Sequence, residues 1–265
     1  MITVDHTIDL FSVIDRLKQL VAEIGKLQQE NLGSAKLAFA VKSTAIDIVT
    51  EIDKRSEEKI IAFIQESYPA HAILAEESGR SEAQSDYLWI IDPLDGTTNY
   101  AQGLPIFSIS IALAYRGQTI LGLVYAPILD ELYYAVRGRG AFLNDWPIHV
   151  AAKTNLLDSV LATGFPYDVA EHPVNNIDYF TRLLPKTRAI RRFGSAAYDL
   201  ASVACGRFDG YWELNLSPWD VAAGILLVEE AGGIVRPFRE DRKVSIIAGN
   251  NSIVGQIYNE IRTLQ

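Results

Sequence analysis

Apolar side chains recur at Leu10, Ile14, Leu17, Val21 and Ile24, a spacing of three to four that predicts a helical stripe over roughly residues 7–29. The next stretch, "GSAKLAFAVKSTAIDIVTEID", alternates apolar and polar positions, as a hairpin or pair of strands does. A second helix is predicted over about 52–67, stopped by Pro69. "AILAEESG" then reads as a short strand ending in two acids and a glycine. "YLWIID" is a second strand, whose unrelieved apolar character predicts burial on both faces. Between Phe107 and about Val150, "FSISIALAY", "TILGLVYA" and "ELYYAVR" are separated by the turn-forming "RGQ" and "APILD", the pattern of an antiparallel meander.

From about Ala151 the pattern changes. "VLATGF", "AIRRFGS", "FDGYWEL", "GGIVRPF" and "VSIIAGN" are short strands interleaved with helices near 196–205 and 218–231, which predicts an α/β half. The chain therefore divides into an N-terminal α+β half, residues 1–150, and a C-terminal α/β half, residues 151–265. No Pro- or Ser-rich linker separates them, so a broad shared interface is expected. No internal repeat or low-complexity segment is evident. A chain of 265 residues can bury a substantial core as one large domain or two intimate ones.

Composition narrows the classes. With 24 Lys and Arg against 33 Asp and Glu the net charge is −9, and no long basic run exists. That argues against non-specific nucleic-acid binding, which needs a cationic footprint. Cys205 is the only cysteine, so no intrachain disulfide can form, and a reducing cytoplasmic location is predicted. It lies in "LASVACGRF", where a packed, inert thiol is expected rather than a nucleophile. The N-terminal segment reads as neither signal peptide nor membrane span. The four histidines are scattered without metal-ligand spacing and read as surface or structural. Neither a G-x-x-x-x-G-K-[ST] loop nor a G-x-S-x-G elbow is present, which disfavours P-loop NTPase and serine-hydrolase chemistry.

Acids stand at the ends of three predicted elements: Glu76 and Glu77 after "AILA", Asp92 and Asp95 after "LWII", and Asp220 in "LSPWDVAAG". Each has a plain structural reading. The glutamates can be a solvated strand end, and Asp92 and Asp95 can shape a turn. Asp220 can cap a helix, because Ser217-Pro218-Trp219-Asp220 fits S-x-x-D with proline at the first helical position. The chemical reading is convergence on divalent cations, since Mg²⁺ prefers oxygen ligands and a two-ion site needs carboxylates from separate segments. Gly96 and Thr97 then suit a phosphate seat at a helix start. Asp53 reads as a first-turn helix acid and Ser195 as an N-cap, and spacing alone leaves these alternatives open.

The motifs around these acids form a longer pattern. "WIIDPLDGTTNY" resembles the first signature of the inositol monophosphatase family, and "PWDVAAGILLVEEAGG" resembles the second. "LAEES", "TGFPYD" and "RFGSAAYDLASVACGRFDGYWE" also look like the family, in its usual order, so that the resemblance runs from about Lys42 to Gly233. The wider superfamily includes fructose-1,6-bisphosphatases and 3′-phosphoadenosine-5′-phosphate phosphatases.

The resemblance implies a layered αβαβα fold, a Mg²⁺-dependent and Li⁺-sensitive phosphatase, and a homodimer. It implies a first Mg²⁺ on Glu76, Asp92 and the carbonyl of Leu94. A second lies on Asp92, Asp95 and Asp220, and a weaker third near Glu76. It gives Gly96 and Thr97 the substrate phosphate, and the Thr97–Asp53 pair the activation of the attacking water. Lys42 is placed near the entrance, and Gly194, Ser195, Ala196 and Glu213 around the alcohol portion, with Glu213 accepting sugar-like hydroxyls. Inositol 1-phosphate is the first substrate expectation. A bisphosphatase is the alternative, with Arg191 or Arg192 facing a second phosphate. A regulatory role in binding RNA or a transcription complex is an alternative of another class.

Overall fold

The computed structural model describes residues 8–33, 39–41 and 48–264. Helices α1 (Leu10–Asn31) and α2 (Glu51–Ser67) flank a short antiparallel hairpin of β1 (Phe39–Val41) and β2 (Ile48–Thr50). The five stripe residues of α1 are all buried, and Asp9 caps its start by accepting from the Phe11 and Ser12 N–H groups.

An eight-stranded sheet follows. It is built from β3 (Ala72–Ala75), β4 (Gly79–Arg80), β5 (Tyr87–Asp95), β6 (Ser108–Tyr115), β7 (Gln118–Ala126), β8 (Glu131–Val136), β9 (Ala141–Leu143) and β10 (Trp146–Pro147). Their order is β10-β9-β8-β7-β6-β5-β3-β4, and only β3 and β5 run parallel. A five-residue helix, α3 (Thr97–Ala101), leaves the end of β5.

The second sheet contains β11 (Val160–Thr163), β12 (Ala189–Arg191), β13 (Gly210–Leu216), β14 (Ile234–Pro237) and β15 (Val244–Gly249), in the order β12-β11-β13-β15-β14. Here the structure departs from a purely α/β pattern. β11 is parallel to both neighbours, but β13, β15 and β14 pair antiparallel. Short turns join them in place of crossover helices only at β14–β15. Helices α4 (Ile177–Leu183), α5 (Ala196–Ala204), α6 (Pro218–Glu230) and α7 (Asn251–Ile261) complete the described chain.

Five layers result: α1 and α2, the large sheet, α5 and α6, the small sheet, then α4 and α7. Side-chain polarity explains the stacking. Helix α5 is buried from Ala197 through Ala204, and α6 carries apolar residues around most of its circumference, so both belong between sheets. One apolar cluster joins Ile90, Val124 and Ala126 of the large sheet to Ala201, Leu227, Tyr211 and Ile246, and so draws on both halves of the chain. A second packs α1 and α2 against Trp89, Ile91 and Ile111, and a third packs α4 and α7 against Trp212 and Ile247. β5 is thus buried on both faces.

The histidine and cysteine expectations can be placed. The Trp89 indole N–H donates to His71 Nδ1 at 3.0 Å, and the imidazole stacks between Tyr68 and Tyr87. Its role is structural, and burial lowers its pKa. Cys205 lies one residue beyond α5 and is half-buried, with its thiol pKa pushed up by burial. No described helix is long and apolar enough to cross a membrane.

Candidate active site

Asp92 and Asp95 are three residues apart, so simple strand alternation would turn them to opposite faces of the sheet. They face the same way. Asp92 pairs with Ser110 and Asp95 with Ser108, so β5 carries one more residue than β6 between the two pairs. Such a bulge re-aims side chains, and Pro93, which lacks an N–H for the ladder, is suited to it. The strand therefore runs three residues past the predicted end at Asp92. Ser110 Oγ donates to the Trp219 carbonyl at the start of α6, and Ser108 Oγ lies 3.1 Å from Ser195 Oγ at the start of α5. Both aspartates thus face the central helical layer.

Three of the acids have an oxygen fixed by the backbone or a neighbouring side chain, and the fourth is placed by its backbone. Leu94 N–H donates to Asp92 Oδ1 at 2.9 Å. Asp95 Oδ2 accepts from Ser195 Oγ and Ala197 N–H, both at 2.7 Å. Asp220 Oδ2 accepts from Ser217 N–H at 2.7 Å, so capping is real, and it leaves the other oxygen available. Glu76 follows β3, where its N–H bonds the Ile91 carbonyl at 3.1 Å. The turn beyond it is anchored by Glu57 of α2, whose two oxygens accept from Glu77 and Ser78 N–H, each at 2.9 Å.

Gly96 joins β5 to α3 with φ +100°, and a Cβ there would stand 3.1 Å from the Gly194 carbonyl. The chain turns sharply enough to bring Thr97 Oγ1 2.9 Å from Asp53 Oδ1 and 3.1 Å from the Leu94 carbonyl. Asp53 also accepts from the Thr50 N–H at 3.1 Å at the start of α2. One carboxylate therefore serves as helix cap and as partner to Thr97.

Glu76, Asp92, Asp95, Asp220, Gly96, Thr97, Gly194, Ser195, Ala196 and Glu213 all line one cavity of about 550 Å³, a size suited to a small ligand. Leu94 also borders it; Asp53 stands behind Thr97. Arg192 and Lys243 lie on its wall, whereas Arg191 is exposed and bonds the Ile190 carbonyl. Lys42 lies outside the described residues.

The electrostatics of the acids are unfavourable without a counter-charge. Burial, then the charges of Glu76, Asp95 and Asp220, raise the Asp92 pKa well above the carboxylate range. Burial raises Asp220 similarly, reinforced by Asp95. Asp95 is pushed up to about 6, and its hydrogen bonds from Ser195 and Ala197 hold it from rising further. Four carboxylates lining one cavity, three of them oriented by hydrogen bonds, are chemically suited to hard divalent cations. No three described acidic, histidine or cysteine side chains form a ready-made metal cage. Mg²⁺ does not need one, because it retains water and takes one or two carboxylates plus phosphate oxygens.

The opposite wall carries Glu213, buried and pushed up to about 7 by desolvation, with Tyr211 OH donating to its Oε2 at 2.6 Å. Three contributors escaped sequence reading. Glu57 could have been found, as an acid on the buried stripe of α2. Gly164 could not, because its role depends on distance: a Cβ there would lie 2.1 Å from Glu213 Oε1. Asp199, in the first turn of α5, also lines the cavity. Nearby, Asp168 is held by Arg242 Nη2 at 2.7 and 2.8 Å, which ties the loop after β11 to that preceding β15.

Gly164→Ala is expected to displace the Glu213 carboxylate while sparing the acids of β5. Steady-state kinetics should show KM raised about tenfold, the cost of roughly one charged hydrogen bond, with a smaller change in kcat. A kcat loss at unchanged KM would contradict the placement.

Residues 9–264 match the family described as "Inositol monophosphatase family". A "Nus factor SuhB" of Pasteurella multocida is 47% identical over 85% of this chain and 86% of its own length. An "Inositol-1-monophosphatase" of Mesorhizobium japonicum is 39% identical over 91% of this chain and 93% of its own. The solved inositol monophosphatase of Anabaena superposes with a TM-score of 0.85 at 41% identity, covering 96% of both chains. The chain belongs to the inositol monophosphatase family.

Proposed function

We propose that this protein hydrolyses a phosphate monoester with divalent cation, by direct attack of water, and that its substrate is a phosphorylated polyol such as inositol 1-phosphate. The observation that carries the reading is the common facing of Glu76, Asp92, Asp95 and Asp220 on the cavity that also holds the Thr97–Asp53 pair. Glu76, Asp92, Asp95, Asp220 and the Leu94 carbonyl would hold two Mg²⁺ ions, with a weaker third near Glu76. Bound there, Mg²⁺ supplies Lewis acidity and neutralises charge on a transferring phosphoryl group.

The remaining steps fall to the chain itself. The N–H groups of Gly96 and Thr97, at a helix start without upstream carbonyl partners, receive the phosphate oxygens. Thr97 Oγ1 accepts a proton from the attacking water as its own hydrogen passes to Asp53, whose carboxylate is thereby neutralised. Ser195 holds Asp95 in place, and the Gly194–Ala196 backbone bounds the leaving alcohol. Glu213 accepts hydroxyls of that alcohol. A cytoplasmic homodimer inhibited by Li⁺ completes the proposal, on the strength of family membership.

The test is initial phosphate release from inositol 1-phosphate and fructose 1,6-bisphosphate, with Mg²⁺ present or chelated. Mg²⁺-dependent release favouring the monophosphate is expected. Preference for the bisphosphate would retain the chemistry and replace the substrate, with Arg192 as the cation for the second phosphate. Release that persists after chelation would remove the metal from the proposal.

A second reading draws on the relative named "Nus factor SuhB". It gives the protein a regulatory role in a transcription complex, through protein contacts in preference to RNA because the net charge is −9. Retention on purified RNA polymerase would support it, and elution at the position of free protein would not.

A further inference from the structure

Asp199 is a buried carboxylate without a part in the chemistry above. It is 1% exposed, and its Oδ1 has no hydrogen-bond partner among the described residues. Such an oxygen is costly to bury, and most buried polar atoms are satisfied. Asp199 is placed where a ligand can satisfy it. It lies one helical turn beyond Ala196 on the same face of α5, and both border the cavity that Glu213 and Asp95 also line.

Its surroundings define what can bind. Glu213 and Asp95 act on it with negative charge, and Arg192 with positive charge. Glu213 has one oxygen engaged by Tyr211 and the other packed near Gly164. A carboxyl keeps an acceptor oxygen whether ionised or protonated, and two of them side by side crowd out an anionic phosphate, so this wall suits a ligand that can donate. The adjoining Arg192 disfavours a cationic donor. A neutral hydroxyl meets both conditions, and it would stand beside Glu213 on the alcohol side of the cavity.

We infer that Asp199 determines specificity by accepting a hydrogen bond from a hydroxyl of the leaving alcohol, beside Glu213. This rests on the phosphomonoesterase reading and adds a second acceptor to it. Two or more donor hydroxyls on the alcohol are then favoured over an alkyl or aryl group that has none. A site built around a donor discriminates strongly against analogues that lack it, because its acceptor is left buried and unpaired.

Kinetics of wild type, Asp199→Ala and Asp199→Asn on inositol 1-phosphate and p-nitrophenyl phosphate decide the assignment. In Asp199→Ala the ratio of kcat/KM for the polyol ester to that for the aryl ester should fall about 10- to 100-fold, carried by KM. Asp199→Asn, which keeps a carbonyl acceptor, should recover part of the loss. Both variants should melt at or above the wild-type temperature, because an unpartnered buried carboxylate has been neutralised. Equal losses on both esters, a shifted Mg²⁺ half-saturation, or an unchanged ratio would each overturn the inference.

Calorimetric titration with a non-hydrolysable phosphonate analogue of inositol 1-phosphate provides a readout independent of turnover. Weaker binding by Asp199→Ala supports the assignment, and equal binding or none by either protein refutes it. Should wild type release phosphate from neither ester, the phosphatase reading falls, while the ratio of dissociation constants still decides the role of Asp199.

Discussion

Asp92→Asn is expected to lower Mg²⁺-dependent phosphate release by about 10³-fold or more and to raise the melting temperature of the chelated protein at pH 8. The first effect follows from position. Asp92 is the acid on which Glu76, Asp95 and Asp220 all act, and it is only 2% exposed. If Asp92 bridges two ions as proposed, its loss forfeits several kcal/mol of charge stabilisation, and about 4 kcal/mol corresponds to 10³ in rate. The second effect has the opposite sign because the same charge is unfavourable to folding without a cation. Asparagine keeps an oxygen for the Leu94 N–H bond, so local geometry is preserved. Phosphate release and thermal unfolding in EDTA provide the two readouts. Wild-type turnover would remove Asp92 from the metal set, and a lower melting temperature would show that its charge is compensated by other means.

The metal-free protein should also be more stable at pH 5.5 than at pH 7.5. Asp95 is raised to about 6 and Glu213 to about 7, with Asp92, Asp199 and Asp220 raised too. An acid with a raised folded pKa binds more protons folded than unfolded across the window from about 4 to its folded value. Stability therefore falls as pH rises through that window; between pH 5.5 and 7.5 the loss is about 1 kcal/mol from Asp95 and about 2 kcal/mol from Glu213. The expected change in melting temperature is about 5–10 °C for a chain of this size. Saturating Mg²⁺ should reduce or reverse the trend, since it binds the ionised carboxylates. Differential scanning calorimetry at the two pH values, with EDTA and then with Mg²⁺, measures this. A melting temperature that drops toward pH 5.5 in EDTA would mean that other groups dominate the acid range.

Different parts of the structure were legible to different degrees. The stripe of α1 and the β6–β8 meander were readable because burial on one face, or between layers, imposes a period on the sequence. The helix after "VSIIAGN" was missed, although Asn250 caps it and Ile253, Val254, Ile257 and Ile261 form a buried stripe. Short α4 offered less, because seven residues cannot establish a period. The acids of the site were visible as chain ends in wrong-looking company, and their grouping came from resemblance, not spacing. The close approach of Gly164 to Glu213 and the stranded oxygen of Asp199 depend on contacts between β11, β13 and α5, which no local pattern encodes.

The cavity is also divided by origin. Glu76, Asp92 and Asp95 come from the C-terminal ends of β3 and β5 in the large sheet, whereas Gly164, Asp199 and Glu213 come from the small sheet and helix α5. On the proposed function, changes in the second group are expected to alter which alcohol is accepted more than they alter the first. Asp220 and Ser195, at the starts of α6 and α5, are the points where the two groups meet.

The extra residue between Asp92 and Asp95 works as a reading frame in space. Removing Pro93 or Leu94 would put the two aspartates two residues apart, on one face by simple alternation, but would abolish the bulge that turns the Leu94 N–H to Asp92 and the Leu94 carbonyl to Thr97. Conversely, many side chains could occupy the two intervening positions provided their number stayed the same. At this strand the backbone of the extra residue, more than the side chains of those two, is what the bulge adds between two carboxylates that share a face.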